Sequence, residues 1–274
     1  MIRDITIGQF YPVDSPIHRL DARVKLTVTF IYIITLFLVN SFVGYFFVIA
    51  ALGATIKVSK VPLKFMLKGI KSIMIIILFT AFINLFMTRG EQVIWQWGFL
   101  SLTVEGIILA IKMCIRLVLL IVGSSILTLT TTPIQLTDGI EFMLRPFKKI
   151  GVPAHEIAMM MTIALRFIPT LLDETDKIMK AQQARGADFD TGSLMQKAKS
   201  LIPILVPLFI SAFRRAEELA MAMEARCYHG DENRTRMNQM HMQKRDYQAL
   251  AIGVIYIGAI LGLRYAANIL PFMI

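Results

Sequence analysis

PAHEIAMMMTIALRFIPTLLDETDKIMKAQQARG, residues 153–186, is followed after a short gap by SLMQKAKSLIPILVPLFISAFRRAEELAMAMEARCYHG, residues 193–230. Both segments read as long helices, and both finish in nearly the same tripeptide. The first ends Ala184-Arg185-Gly186 and the second Ala225-Arg226-Cys227. In the first, Ile157, Met161, Ala164, Ile168, Leu171 and Ile178 recur at helical spacing, while Glu156, Asp173, Glu174, Lys177 and Lys180 avoid that stripe. Pro169 is expected to bend this rod, and Gly186 suits its stop. Asp190-Thr191-Gly192-Ser193 is turn-like and offers a cap for the next helix.

The second rod is expected over Ser193–Cys227. Its apolar stripe is Leu205, Leu208, Ala212, Ala216, Leu219 and Met223, and Arg214 can pair with Glu217 and Glu218. Pro203 and Pro207 should bend its early half. Because both rods are amphipathic, they read as lying along the cytoplasmic membrane face and crossing each other, not as further spans.

The composition around them is that of a membrane protein. Of 274 residues, 56% are hydrophobic, and mean hydropathy is +0.63. A soluble domain this apolar would expose far too much apolar surface. The formal net charge of +10 reads first as orientation, since Lys and Arg collect on the cytoplasmic side. No basic helix or aromatic platform points to nucleic acid. Cys114 and Cys227 form no close pair, which argues against a disulfide framework or a zinc site.

Five spans are expected. A polar lead-in over 1–25, placed inside, precedes Leu26–Val39 and Phe42–Ile56, which turn at the uncharged Asn40-Ser41. Lys57, Lys60, Lys64, Lys68 and Lys71, with no acid among them, mark the next connection as inside. Ile73–Met87 is the third span. Thr88–Ser101 is an outer loop whose Trp95 and Trp97 suit the headgroup level. The fourth, Leu102–Leu129, would be roughly 40 Å long and carries Glu105, Lys112 and Arg116 on one helix face. An ion path is one reading of that stripe. A tilted helix with snorkelling side chains is the favoured one, since other spans offer no partner acids. Thr132 and Pro133 open a short helix that ends at Lys148-Lys149, and Gly151 and Pro153 stop and restart the chain. Ala249–Leu263, continuing to about Ile269, is the last span, leaving the C-terminus outside. The fold expected is an all-α integral membrane protein with about five transmembrane helices and two long, crossing cytoplasmic-side helices. Its regions are a lead-in (1–25), a four-span membrane region (26–130), a coupling-helix region (131–230), a linker (231–245) and a last transmembrane helix (246–274).

Catalytic motifs fail on inspection. No Gly directly precedes a Lys, so there is no phosphate loop for ATP. His155-Glu156 starts a zinc-protease pattern, but Met159 stands where the second imidazole is required. Asp173-Glu174-Thr175-Asp176 lies beside Lys177 and Lys180, as on a solvated helix face, and Ser124-Ser125 suit helix packing. The 17 methionines, Met159-Met160-Met161, Met221 and Met223 among them, read equally as apolar filler or as an adaptable partner surface.

Several motifs taken together carry a family pattern. They are Asp14-Ser15-x-x-His18-Arg19-Leu20-Asp21-x-Arg23-x-Lys25, Gly151-Val152-Pro153, Ala164-Leu165-Arg166-Phe167-Ile168-Pro169 leading to Ala181-Gln182-x-Ala184-Arg185-Gly186, and Ala225-Arg226-Cys227. In these the chain resembles, over essentially its whole length, the transmembrane T components of energy-coupling factor (ECF) transporters. Ala22 stands where the family usually has Pro, and Cys227 where it has Gly. Gly is the residue that accepts positive φ without cost, so the second rod's stop is the less secure of the two.

The resemblance implies an importer for vitamins or other micronutrients in a bacterial or archaeal cell membrane. Its partners would be two cytosolic ABC-type ATPases, which use the ATP, a substrate-binding membrane S component, and the lipid bilayer. This chain would bind no cofactor. Ala184, Arg185, Gly186, Ala225, Arg226 and Cys227 would dock the ATPases, Arg185 and Arg226 bonding acidic groups there through their guanidinium forks. Met160, Met161, Ile168, Leu208 and Met223 would face the membrane partner. The alternatives are a dedicated cobalt- or nickel-type permease of the same superfamily, and an ion channel or carrier built on Glu105, Lys112 and Arg116.

Overall fold

A computed structural model describes residues 9–88, 90, 92–97, 100–187, 189, 193–228, 230 and 241–269. The Asp190-Thr191-Gly192 turn, the stretch 231–240 of the linker and the start of the lead-in lie outside these residues. The chain divides into two compact units. One comprises Gly8–Gly139 with Met240–Ile274; the other contains Ile140–Gln239.

The first unit begins with α1 (Ala22–Leu38) and α2 (Phe42–Ser59). Asp21 caps α1 by accepting from the Arg23 N–H, and Ser41 caps α2 by accepting from the Gly44 N–H. Lys60 closes α2 in the left-handed region at φ 56°. Next, α3 (Leu63–Met87) bends by 60° between its arm Leu63–Lys71 and its longer part Ile73–Met87. The basic connection foreseen before Ile73 is therefore largely a helical arm.

The connection between α3 and the next helix, expected as an outer loop, contains a hairpin that the sequence reading does not foresee. Strands β1 (Val93–Trp97) and β2 (Leu100–Thr103) pair antiparallel, with Trp95 opposite Leu102 and Trp97 opposite Leu100. Where the Trp95 and Trp97 rings point lies outside the described side chains. Thr103 caps α4 (Val104–Thr130), the 27-residue spine of the unit, and α9 (Lys244–Ile269) completes it. Their shared core contains Leu36, Tyr45, Val48, Met66, Leu119, Val122 and Ile260.

By length and composition, α2, α4, α6 (Ala154–Ala184) and the Lys244–Tyr265 part of α9 can each cross a membrane, and the two arms of α3 make a fifth if counted together. At 17 residues α1 is slightly shorter. The first rod, α6, thus meets a length-and-composition test for spanning that the amphipathic reading did not anticipate.

The lead-in motif closes one end of this unit. The Tyr11 N–H donates to the Leu129 carbonyl at 2.9 Å. The buried Lys25 ammonium donates to the carbonyls of Thr130 at 2.8 Å and His18 at 3.0 Å. The last carbonyls of α4 have no partner inside their own helix, and these two donors supply one. His18 Nε2 lies 3.0 Å from the Tyr11 carbonyl, so it donates, which leaves Nδ1 to accept from the Ser15 hydroxyl at 2.7 Å. Asp246 ties in α9, accepting from the Asp21 N–H and the Gln243 N–H, each at 2.8 Å. The family-like Asp14 to Lys25 pattern is therefore a strap across helix ends.

The second unit contains the end of α5 (Pro133–Leu144), a 3-10 turn (Arg145–Ile150), α6, α7 (Leu194–Ser200) and α8 (Ile202–Ala225). Gly151 takes φ 89° after the turn, and α6 starts behind Pro153. Ser193 and Gln196 form a reciprocal capping box for α7. The second rod is broken at Leu201, just before Pro203. Pro169 and Pro207 lie inside continuous helices.

Candidate coupling site

The rods α6 and α8 pack antiparallel. Gln182 Nε2 donates to the Pro203 carbonyl at 3.4 Å. One turn-pair further along, Glu174 accepts from the Ser211 hydroxyl and, at 2.9 Å, from the Arg215 guanidinium. The cross-rod ion pair thus belongs to Arg215. Arg214 instead borders a shallow depression of about 420 Å³ with Phe209, Ile210, Phe213 and Glu217.

The two tips share one geometry. At the first, Arg185 closes α6 at φ −89°, ψ 6°, and Gly186 turns left-handed at φ 88°. The Gly186 N–H donates to Gln183 and the Ala187 N–H to Gln182. At the second, Arg226 closes α8 at φ −93°, ψ 14°, and Cys227 takes φ 55°. Here the Cys227 N–H donates to Glu224 and the Tyr228 N–H to Met223. Both are Schellman ends, with 5→2 and 6→1 bonds that satisfy the last carbonyls. The Cys-for-Gly change therefore leaves the stop in place, at a φ that a side chain makes costly.

Ala184, Arg185, Gly186, Ala225, Arg226 and Cys227 are all exposed. Among the described residues neither Arg185 nor Arg226 has an ion pair. Because the rods run antiparallel, the arginines sit at opposite ends of the pair. From the Glu174–Arg215 contact, 1.5 Å per residue puts them up to about 35 Å apart along it. One groove cannot hold both.

The residues expected to face a membrane partner divide. Met160 is 58% and Ile168 37% exposed, whereas Met161, Leu208 and Met223 are half-buried. Leu208 and Met223 share a helix face with Ser211, Arg215 and Leu219, the side that meets α6. The more open apolar face of α8 is Ile202, Leu205, Val206, Phe209, Ile210 and Phe213, each 53–65% exposed. Of these only Leu205 was in the stripe read from sequence. The signal was there, since the helix is apolar on two sides.

The charged stripe of α4 is used inside the fold. Arg116 donates to the Val39 carbonyl at 2.9 Å, to Tyr45 Oη at 3.1 Å and to Asn40 Oδ1 at 3.3 Å, fastening the turn between α1 and α2. Lys112 lies over the Phe42 ring, 5.0 Å from its centre. Glu105 accepts from the Gln92 N–H at 3.4 Å, beside the hairpin. Three separate structural contacts are a poor proton or ion relay. Among the described residues no group of three or more His, Cys, Asp or Glu is placed to hold a metal.

Comparison with known proteins agrees in one direction. A family model described as "Cobalt transport protein" (CbiQ) matches residues 14–237. The chain is 59% identical over 258 residues to the energy-coupling factor transporter transmembrane protein EcfT of Clostridium kluyveri, covering 94% of this chain and 96% of that one. It is 58% identical to the protein of the same name from Ruminiclostridium cellulolyticum, over 97% and 99% of the two chains. The Limosilactobacillus fermentum protein of that name is 47% identical, over 92% and 94%.

Proposed function

Since this chain belongs to the energy-coupling factor transmembrane (EcfT) family of transporter proteins, we propose that its two rod tips are where a pair of cytosolic ATPases attaches. The chain is the transmembrane energy-coupling component of such a transporter and a multi-pass membrane protein. ATP is then handled by the partners, each of which receives one arginine in a groove lined by acidic side chains. Guanidinium suits that role, being always charged and offering a planar fork of donors.

The observation that carries this reading is the repeated tip. Two exposed arginines stand on two identical helix ends, at opposite ends of one antiparallel pair. A C-terminal arginine serving only the helix dipole has no reason to recur with the same six-residue geometry. Movement entering at the tips leaves through the uncovered apolar faces of α6 and α8, which meet a separate substrate-binding membrane subunit. Cargo selectivity for a vitamin or other micronutrient rests with that subunit. The lysine-rich 57–71 stretch supports an inside N-terminus and an outside C-terminus. A dedicated metal-ion permease or an ion channel is not favoured. The relatives carry the energy-coupling name, and Glu105, Lys112 and Arg116 have partners within the fold.

Co-purification tests it. Arg185→Glu with Arg226→Glu should leave membrane insertion unchanged and lower ATPase recovery at least about tenfold, because two charge-assisted contacts become repulsive. Full recovery and normal uptake by the double variant would refute the assignment.

A further inference from the structure

We propose that the first arm of α3, Leu63–Lys71, together with the end of α2, is a docking surface for anionic phospholipid headgroups. The charge there is one-sided. Between Asp21 and Glu91 the chain carries no acid, and Lys57, Lys60, Lys64, Lys68 and Lys71 recur every three or four residues. Lys57, Lys60, Lys64 and Lys71 are exposed. Among the described residues none of these four has an ion pair. Asp14 is close enough for Lys60 to act on it, but both Asp14 oxygens are already held by Arg19. The fold therefore leaves a cluster of positive charge without internal compensation.

The shape of the arm selects lipid as the counter-charge. It turns 60° away from Ile73–Met87 and so leaves the axis of that helix. Met66, fully buried, anchors it to the core, and Tyr11 packs on the Phe65 ring at 5.0 Å. At about 100° per residue, positions 64 and 71 fall on the side opposite Met66. Leu63 and Leu67, 56% and 54% exposed, flank them on one side, and Phe65, 46% exposed, on the other. Uncovered leucines beside uncovered lysines match the boundary between acyl chains and headgroups, where a long basic side chain reaches outward and apolar neighbours sink inward. A soluble acidic protein would neutralise the lysines and leave the leucines in water. Neutral lipid would cover the leucines and leave the lysines unpaired. An anionic leaflet does both, and attracts each nearby lysine by an amount equal to roughly a fivefold change in association.

The test uses the full chain in phosphatidylcholine nanodiscs containing spin-labelled phosphatidylglycerol or spin-labelled phosphatidylcholine. The readout is the fraction of label immobilised at the protein. Wild type should immobilise phosphatidylglycerol preferentially, less so at high salt. The variant carrying Lys57→Gln, Lys60→Gln, Lys64→Gln and Lys71→Gln should lose at least about fivefold of that preference. The matching four-fold Lys→Arg variant should keep it. Three results would overturn the proposal: equal immobilisation of the two lipids by wild type, an undiminished preference in the Gln variant, or an Arg variant that behaves like the Gln one. A Gln variant that keeps its lipid preference but loses an acidic protein partner would also overturn it, assigning the lysines to that partner.

Discussion

Leu36, Tyr45, Val48, Met66 and Ile260 are each at most 2% exposed in the unit formed by Gly8–Gly139 and Met240–Ile274. Along the whole of α6 and α8, in the other unit, only Ala154, Ala158 and Ile204 are buried. The arginines differ in the same way. Arg116 spends its donors on Val39, Tyr45 and Asn40, while Arg185 and Arg226 stand exposed. One unit fills an interior with its own side chains. The other buries little of its two rods and holds out apolar surface and charge, which suits the transmitting role proposed for it.

Truncation gives the sharpest contrast. Leu36→Ala should lower stability by about 2–5 kcal/mol through a packing defect, seen as a drop in the thermal midpoint in detergent. Phe213→Ala, at a position 61% exposed, should shift that midpoint by no more than about 0.5 kcal/mol yet weaken co-purification of a membrane partner. Equal losses of stability from the two would erase the distinction between the units. Arg116→Ala comes next, costing about 1.5–3 kcal/mol because it removes charge-assisted bonds and leaves the Val39 carbonyl without them. Arg226→Ala should leave the thermal midpoint nearly unchanged in the isolated chain.

Acidification acts on the self-contained unit and more gently. Burial holds the His18 imidazole below its ordinary value of 6.5, against the pull of the Tyr11 carbonyl. The unfolded chain then takes up a proton first, so the strap loses stability as pH falls below 6.5 towards the lower folded value. Asp14 is held below 3.8 by its bond to Arg19, so what that pair adds is present above 3.8 and goes only as pH falls through the folded value. A nuclear-resonance titration of His18 with a midpoint at or above 6.5 would contradict the first of these. The smallest effect belongs to Cys227→Gly. Relief of the side chain at φ 55° is partly cancelled by the added freedom of the unfolded chain, for a net gain of about 0.5 kcal/mol or less. Amide exchange at Tyr228 should slow slightly.

Much of this architecture could be read along the chain. Pro133, Pro153, Gly151 and Gly186 stand where the structure starts or stops helices, because their backbone preferences are local. The second rod reads from sequence as one helix bent at Pro203 and Pro207, whereas the structure breaks it at Leu201, two residues before Pro203. The hairpin was not, since Val93–Trp97 and Leu100–Thr103 are too short to show alternation above a loop background. Nor could sequence say which apolar side of α8 packs on α6. That depends on Glu174 meeting Ser211 and Arg215, a contact 37 to 41 residues away. The tips were found as a repeated tripeptide, but their opposed directions follow only from the antiparallel packing.

Along α4, the turn between α1 and α2 is fastened at Arg116, whereas the C-terminal end of α3 lies against Gly106. Ten residues of helix separate those levels, about 15 Å. Surrounding acyl chains therefore meet a stepped rim, low on one flank and tall on the other. A bilayer of uniform thickness cannot match both heights, so either the whole bundle leans or the membrane thins beside its short flank.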